Sequence, residues 1–332
     1  MNKKIVGFGE IMMRLSPANH GLIKDSELYN VYYGGSETNV LITLSSLGCK
    51  SDYVSVIPEN PIGEGAIRHL TKNKVNISNV VRKGSQLGIY FVEEGFGERP
   101  SNVIYSRDNS AIRDIDINDI DAEEIFKGAH CYFTSGISLA LSTKTSDVAA
   151  YLAKKAKEMG LTVVFDFNYR SKLWSVEEAK SKYREIIPYV DVCIGNLFDI
   201  KTFFDIDGEN NEVIKTFLTK YDIKYLVHTK RTVFTSSRNA LQGIAYFIEN
   251  DNLTKLETNE YPFDILDRVG GGDAFAGGVI YGLMKNFNDP QTAINIGVAC
   301  DVLKHCEHGD AFTQSLDDVE CFLSNQCKDI KR

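Results

Sequence analysis

"DRVGGGDAFAGGVIYGL", Asp267 to Leu283, sets three consecutive glycines directly before an aspartate and then a run of small and apolar residues with helical character. Gly270, Gly271 and Gly272 can take backbone conformations closed to other residues and let a ligand come close to the chain. Bare amides at a helix N-terminus form an anion hole, and the helix dipole strengthens it. Asp273 falls in the first turn. Read alone, it is either a capping residue on a tight turn or a general base beside a phosphate site. A carboxylate next to a phosphate is repulsive unless it has chemistry to do. Taking a proton from an attacking hydroxyl is such chemistry.

Outward from this stretch, β-rich apolar runs alternate with helical patterns. Strands are expected at "KIVGFGEI", "SDYVSVI", "CYFTSGI", "TVVFDFN", "VCIGN" and "KYLVHT". "STKTSDVAAYLAKKAKEMG" opens on Ser/Thr caps and stops at Gly160, and "ETNVLITLSSLG" stops at Gly48, as helices do. Strand-helix alternation implies an α/β fold with a mostly parallel sheet covered by helices on both faces. Two regions break the rhythm, at about 12–35 and about 86–108. The second alternates residue types across a Gly-rich turn, a hairpin signal. Both read as short antiparallel strands added to the main sheet, either a lid over a cleft or an edge hairpin without a role.

Composition narrows the function classes. The chain has 332 residues, 43% hydrophobic and 25% charged, with a net charge of −8. No basic block invites nucleic acid or an anionic membrane, and no apolar run approaches the ~20 residues of a membrane span. "MNKKIVGFGEI" lacks a long apolar region and cleavage site, so it reads as a first strand and not a signal peptide. Seven scattered cysteines without CxxC argue against a disulfide framework or zinc cage and fit a reducing cytoplasm. "KHCEHGD", Lys304 to Asp310, crowds His305, Cys306 and His308 too closely for good zinc geometry and reads as a polar loop after a helix.

The common phosphate loop GxxxxGK[ST] is absent. "GFGEIM" lacks the third glycine of a dinucleotide fingerprint and no helix follows it. "YYGGSETNV" is a second glycine pair opening a helix, where Asn39 can donate and accept. "DFNYRSKLW" starts at a strand's C-terminal end, where open α/β sheets bind ligands, and Arg170 there suits an anion or a surface salt bridge. In "GNLFDI", Asn196 and Asp199 form a helix cap or organise hydrated Mg²⁺.

Together these residues resemble the ribokinase-like, PfkB-type carbohydrate kinases. "DRVGGGDAFAGG" is similar to that family's D-T-x-G-A-G-D-x-F-x-x-G signature, with Arg268 and Gly271 where Thr and Ala are common. "GGSETNV" resembles its N-terminal signature. "GNLFDI" resembles its Asn-x-x-Glu motif, with Asp199 for Glu. The match runs from about residue 5 to 315. It implies a single three-layer α/β/α domain over 1–332 with a small β-sheet lid, often used in dimers. It further implies ATP-dependent phosphorylation of a sugar hydroxyl, with Asp273 as base and the amides of Gly270, Gly271 and Gly272 on the transferring phosphoryl group. Asn196 and Asp199 would order Mg²⁺. The nucleotide would meet Asn168, Asn196, His228, Thr229, Lys230, Gly270, Gly272 and Asn295. A monovalent cation is left open as a further cofactor. One departure stands out: the family usually continues K-x-G-x-x-G after the strand "KYLVHT", and this chain has "KRTVFTSSRN".

On the substrate side the resemblance is to the 2-keto-3-deoxygluconate kinases, through Gly35, Asn39, Tyr90, Tyr105, Arg107 and Arg170. Two arginines suit a carboxylate, which Arg binds bidentately. Ribokinases carry an aspartate after the first strand to grip sugar hydroxyls. Here that region reads "GEIMMRL", with Arg14 nearby and no Asp. The bland alternative is that Arg107 or Arg170 pairs with lid acids such as Glu93 or Glu94. The expectation is a kinase of 2-dehydro-3-deoxy-D-gluconate. Its alternatives are a galactonate epimer, a neutral ketose such as fructose, or a catalytically silent sensor.

Overall fold

The computed structural model describes residues 1–325; Cys327 lies outside them. Fourteen strands follow in chain order: β1 (Lys4–Phe8), β2 (Met12–Pro17), β3 (Tyr29–Gly34), β4 (Lys50–Ile57), β5 (Val75–Arg82), β6 (Gly88–Glu93), β7 (Asn102–Ser106), β8 (Cys131–Ser135), β9 (Thr162–Asp166), β10 (Val192–Ile194), β11 (Tyr225–Thr235), β12 (Arg238–Glu249), β13 (Asn252–Glu257) and β14 (Tyr261–Asp264). The main sheet has the order β13-β12-β11-β10-β9-β8-β1-β4-β5, with β14 on β12. From β5 to β11 every pairing is parallel, and β12, β13 and β14 extend it antiparallel. All six expected strands are present.

Alternation along the central strands divides the interior in two. Ile5 of β1 and Val164 of β9 pack into one apolar cluster, with the helices Ser36–Ser46, Gly271–Lys285 and Pro290–Lys304. Val6, Val163 and Phe165 face the other, with the helices Thr143–Glu158 and Val176–Ile186. Successive strand side chains point to opposite faces, so a sheet apolar on both faces must be covered twice. The small residues of the opening stretch have a packing reason too. A Cβ on Gly278 would lie 2.7 Å from the Gly297 Cα, and one on Gly282 would lie 2.5 Å from the Ala293 Cα. The Gly271–Lys285 helix therefore sits directly against the Pro290–Lys304 helix.

The two irregular regions differ from expectation in one respect. They are not added to the main sheet. They form their own four-stranded sheet, ordered β3-β2-β6-β7, in which β2 and β6 run parallel. Its hairpin tip touches the main sheet at one exposed point: Ser236 Oγ, in the turn between β11 and β12, donates to the Gly97 carbonyl. Cys49, Cys131, Cys193 and Cys300 are buried free thiols and Cys306 is an exposed one. Cys321 is disulfide-bonded, which corrects the expectation of unpaired cysteines there. Among the described residues no helix is long and apolar enough to cross a membrane.

Candidate active site

The candidate site lies at the C-terminal ends of β9 and β10 and beside the first half of β11, neighbours in the sheet, where the Gly271–Lys285 helix begins. Gly270 is that helix's N-cap, with φ 86°. A Cβ there would lie 1.6 Å from the Asp310 carbonyl oxygen, so both conformation and space require glycine. Gly271 is buried against Asp301 and His305. Gly272 differs: it is exposed, and no atom lies within 4 Å of where its Cβ would stand. This is the open side of the loop.

Asp273 is held by the second glycine motif. Asn39 Nδ2 donates to its Oδ2 at 2.7 Å and Ser36 Oγ to its Oδ1 at 3.1 Å. Gly35 fixes the amide orientation, because its N–H donates to Asn39 Oδ1 at 3.3 Å. A Cβ on Gly35 would collide with the Glu10 carbonyl oxygen. Asn168, at φ 38°, turns the chain after β9 and donates from Nδ2 to Ser36 Oγ at 3.0 Å. Its N–H donates to Asp166 Oδ1 at 3.1 Å. Burial pushes the Asp273 carboxyl above its usual range, against the pull of Asn39, Ser36 and Arg170. Burial and then repulsion from Asp273 push Asp166 up to about 8. Ser36 and Asp166 were both visible in quoted motifs, yet nothing in the sequence pattern marks them as a continuous network with Asp273.

On the neighbouring strand end, Asn196 caps the helix Leu197–Phe204. Its Oδ1 accepts the Phe198 N–H at 2.8 Å, and Asp199 Oδ2 accepts the Asn196 N–H at 2.8 Å. Burial raises the Asp199 carboxyl. His228, Thr229 and Lys230 lie on β11 opposite Ile244, Gly243 and Gln242. His228 stacks on Tyr246 at 6.1 Å, and burial lowers its pKa. The Pro290–Lys304 helix packs on β12 at Gly243, which brings Asn295 to the same flank; Gln291 Nε2 donates to Asn295 Oδ1 at 3.3 Å. The missing glycines after Thr229 are now explained. The chain makes no turn there but runs straight to Thr235 and turns at 236–237.

The lid faces this edge across a cavity of about 610 Å³, lined in part by Tyr105, Arg107, Asp108, Tyr169, Arg170 and Lys172. That volume suits a small ligand. Arg170 is exposed, and its charge reaches both Asp273 and Asp166. Arg107 is buried and ion-paired with Glu10, not with the lid acids Glu93 or Glu94. Its guanidinium stands 5.4 Å from the Tyr105 ring, its Nε has no partner, and neither has Glu10 Oε1. The region after β1 therefore does contain an acid, Glu10. Tyr90 stacks on Tyr105 at 5.9 Å and gives its hydroxyl to Asp310.

Arg14 is turned away from the cavity. It is fully buried, and Nη1 donates to Asp267 Oδ2 and Asp310 Oδ1, each at 2.8 Å. Nη2 donates to Glu94 Oε1 at 3.0 Å. Burial opposes the Arg14 charge, but Asp310 and Asp267 outweigh it and raise its pKa. Glu94, Asp267 and His308 present ligand atoms within 4.8 Å of one another, but two of the three already serve Arg14.

Comparison with known proteins places the fold in a family. The model of the pfkB family of carbohydrate kinases matches residues 2–315. A 2-dehydro-3-deoxygalactonokinase from Haloferax volcanii is 31% identical over 323 residues, 97% of each chain. A 5-dehydro-2-deoxygluconokinase from Clostridium perfringens is 27% identical, over 92% of this chain and 87% of that one. The crystal structure of a 2-dehydro-3-deoxygluconokinase from Thermotoga maritima superimposes with a TM-score of 0.91 at 36% identity, covering 98% of this chain and 99% of that one. A putative ribokinase II from E. coli, in complex with ATP and Mg²⁺, shares the fold at a TM-score of 0.81 and 20% identity, over 97% and 99% of the two chains. The chain belongs to the PfkB family of carbohydrate kinases.

Proposed function

We propose that the protein transfers the γ-phosphoryl group of ATP to the 6-hydroxyl of 2-dehydro-3-deoxy-D-gluconate, with Asp273 as general base. The observation that carries the reading is Asp273 itself. Its carboxylate is oriented by two neutral donors, Asn39 and Ser36, and its pKa is raised, so it is both aimed and basic. Asp273 takes the hydroxyl proton as the oxygen attacks phosphorus and ADP leaves. The amides of Gly270, Gly271 and Gly272 and the helix dipole stabilise the charge on the phosphoryl oxygens. Nucleotide contacts fall to Asn168, Asn196, His228, Thr229, Lys230 and Asn295.

Asp199 and Asp166, two carboxyls made unfavourable by burial, fit a nearby divalent cation that would relieve them. Asn196 and Asp199 would order hydrated Mg²⁺, which supplies charge neutralisation on the phosphates. With Arg107 paired to Glu10, Arg170 and Lys172 still outweigh Asp108 and leave the cavity positive, which supports an acidic sugar. Arg107 and Arg170 hold the carboxylate end, and Gly35, Asn39, Tyr90 and Tyr105 the chain. The galactonate epimer is the second reading, favoured by the name of the Haloferax relative. Exposed Leu28, Val31 and Ile104 on the lid support a homo-oligomer joined there.

A coupled ATP-consumption assay across both 2-dehydro-3-deoxy acids, 5-dehydro-2-deoxygluconate and fructose tests the assignment. The gluconate-series acid is expected to give the highest kcat/KM. A preference for fructose would overturn the acidic-substrate reading, and a preference for the galactonate acid would select the epimer.

A further inference from the structure

Among the described residues, the largest fully buried side chains include a charged one, Arg14, and it touches neither the cavity nor the Asp273 carboxylate. It lies on β2, inside the lid. Four of its five N–H groups are directed outward from the guanidinium: Nε to Ser16 Oγ at 2.8 Å, and the others to Asp267, Asp310 and Glu94. Each carboxylate belongs to a different working part. Asp267 opens the glycine loop, and its Oδ1 accepts the Val269 N–H at 3.1 Å, one residue before Gly270. Its Oδ2 also accepts the Gly309 N–H at 3.1 Å. Asp310 is bonded by Tyr90 of β6, its carboxylate would meet a Cβ on Gly34, and its carbonyl packs on Gly270. Glu94 follows β6 toward the hairpin tip.

A buried ion cluster is weak evidence of stability, since apolar residues of similar volume often serve as well. What apolar residues cannot do is hold three carboxylates in fixed directions at once, which the rigid guanidinium fork does. We propose that Arg14 is a positioning residue that couples the lid to the anion hole. When the lid settles on the sugar, β2 and β6 set the glycine loop through Asp267 and Asp310, so phosphoryl transfer is favoured only over a seated acceptor. The idea rests on the kinase reading but not on which sugar is used.

The test compares Arg14→Lys and Glu94→Gln with the unaltered protein. The first keeps the charge and loses the fork. The second removes one spoke at the more accessible end of the cluster. For Arg14→Lys, kcat is expected to fall about 100-fold, the effect of a small misplacement far from the chemistry, while KM for ATP stays close to its original value. Glu94→Gln is expected to give a smaller loss of the same kind. The readout that separates coupling from stability is the sugar-induced change in hydrogen exchange of residues 266–273, each variant being compared with itself. Adding 2-dehydro-3-deoxy-D-gluconate should protect this segment in the unaltered protein and not in Arg14→Lys, at sugar concentrations that saturate both. If the unaltered protein rejects that acid, the panel sugar turned over fastest replaces it, and only the substrate assignment fails. Unchanged kcat with intact sugar-induced protection in a folded variant overturns the coupling, as does the absence of protection in the unaltered protein. If Arg14→Lys does not fold, Glu94→Gln decides.

Discussion

Asp267 and Asp273 are six residues apart in one stretch and do opposite work. Asp273 stands at the open end of the loop, held by the uncharged donors Asn39 and Ser36, and its carboxyl is raised. Asp267 is buried at the closed end. Burial works against its charge, but Arg14 and Lys304 draw its carboxyl below the usual range. Neutral donors orient a carboxylate and leave it basic. Cations orient it and remove its basicity. On the proposed reading, one end of the stretch serves proton transfer and the other holds shape.

The largest expected effect tests the first half of that contrast. Asp273→Asn keeps the size and one acceptor and removes the base. Turnover should fall ~10²–10⁴-fold or more, with the melting temperature nearly unchanged or raised, since a buried carboxyl is gone. Near-full turnover in a steady-state assay would break the contrast at its root. Asp267→Asn should do the reverse. It removes charged hydrogen bonds from Arg14, so stability should drop by roughly 1.5–3 kcal/mol in denaturant unfolding. The loss should shrink at low pH. A depressed carboxyl contributes stability above its unfolded value of about 3.9 and loses it as pH falls through the lower folded value.

This division also explains what was legible beforehand. The three glycines and Asp273 are four consecutive residues at the start of one helix, so local chemistry pointed to them. Six of the seven parallel strands were legible because each is a short apolar run bounded by turn residues; β5, "VNISNVVR", was not, because polar residues break its apolar run. β12 was not recognised, because "RNALQGIAYFIEN" lacks clean alternation and reads equally as a buried helix segment. The partners of Arg14 and Arg107 could not be read at all. Arg14 meets Asp267 across 253 positions and Arg107 meets Glu10 across 97, distances at which sequence patterns carry no pairing information. The lid was recognised as β-structure, but its independence from the main sheet depends on which edges pair, and that too is long-range.

The two cavity arginines sharpen the contrast on the substrate side. Arg170 is exposed and forms no ion pair among the described residues, so Arg170→Ala should raise KM for the acidic sugar, by roughly 10- to 100-fold for a lost charged hydrogen bond, and leave KM for ATP nearly unmoved. Arg107→Ala should do the same and also lower the melting temperature, because it strands Glu10 in the interior. Equal effects of both variants on KM for ATP and sugar would place them outside the sugar site.

The last contrast concerns Asp166, whose carboxyl reaches about 8 through burial and the nearby Asp273 charge. Its folded value lies above the unfolded ~3.9. The stability it contributes is therefore fully present below about pH 4 and lost as pH rises through about 8. Melting temperature should decline across that window, and Asp166→Asn should flatten the decline. Glu37, pushed to about 7 mainly by burial, adds a slope of the same sign, but it is present in both proteins and cancels in their difference. In an Asp273→Asn background the repulsion is absent, so the window should close at a lower pH. If the Asp166→Asn difference curve is identical with and without the Asp273 charge, the two carboxylates do not sense each other. The electrostatic continuity from Asp166 through Asn168 and Ser36 to the base would then reduce to a set of hydrogen bonds.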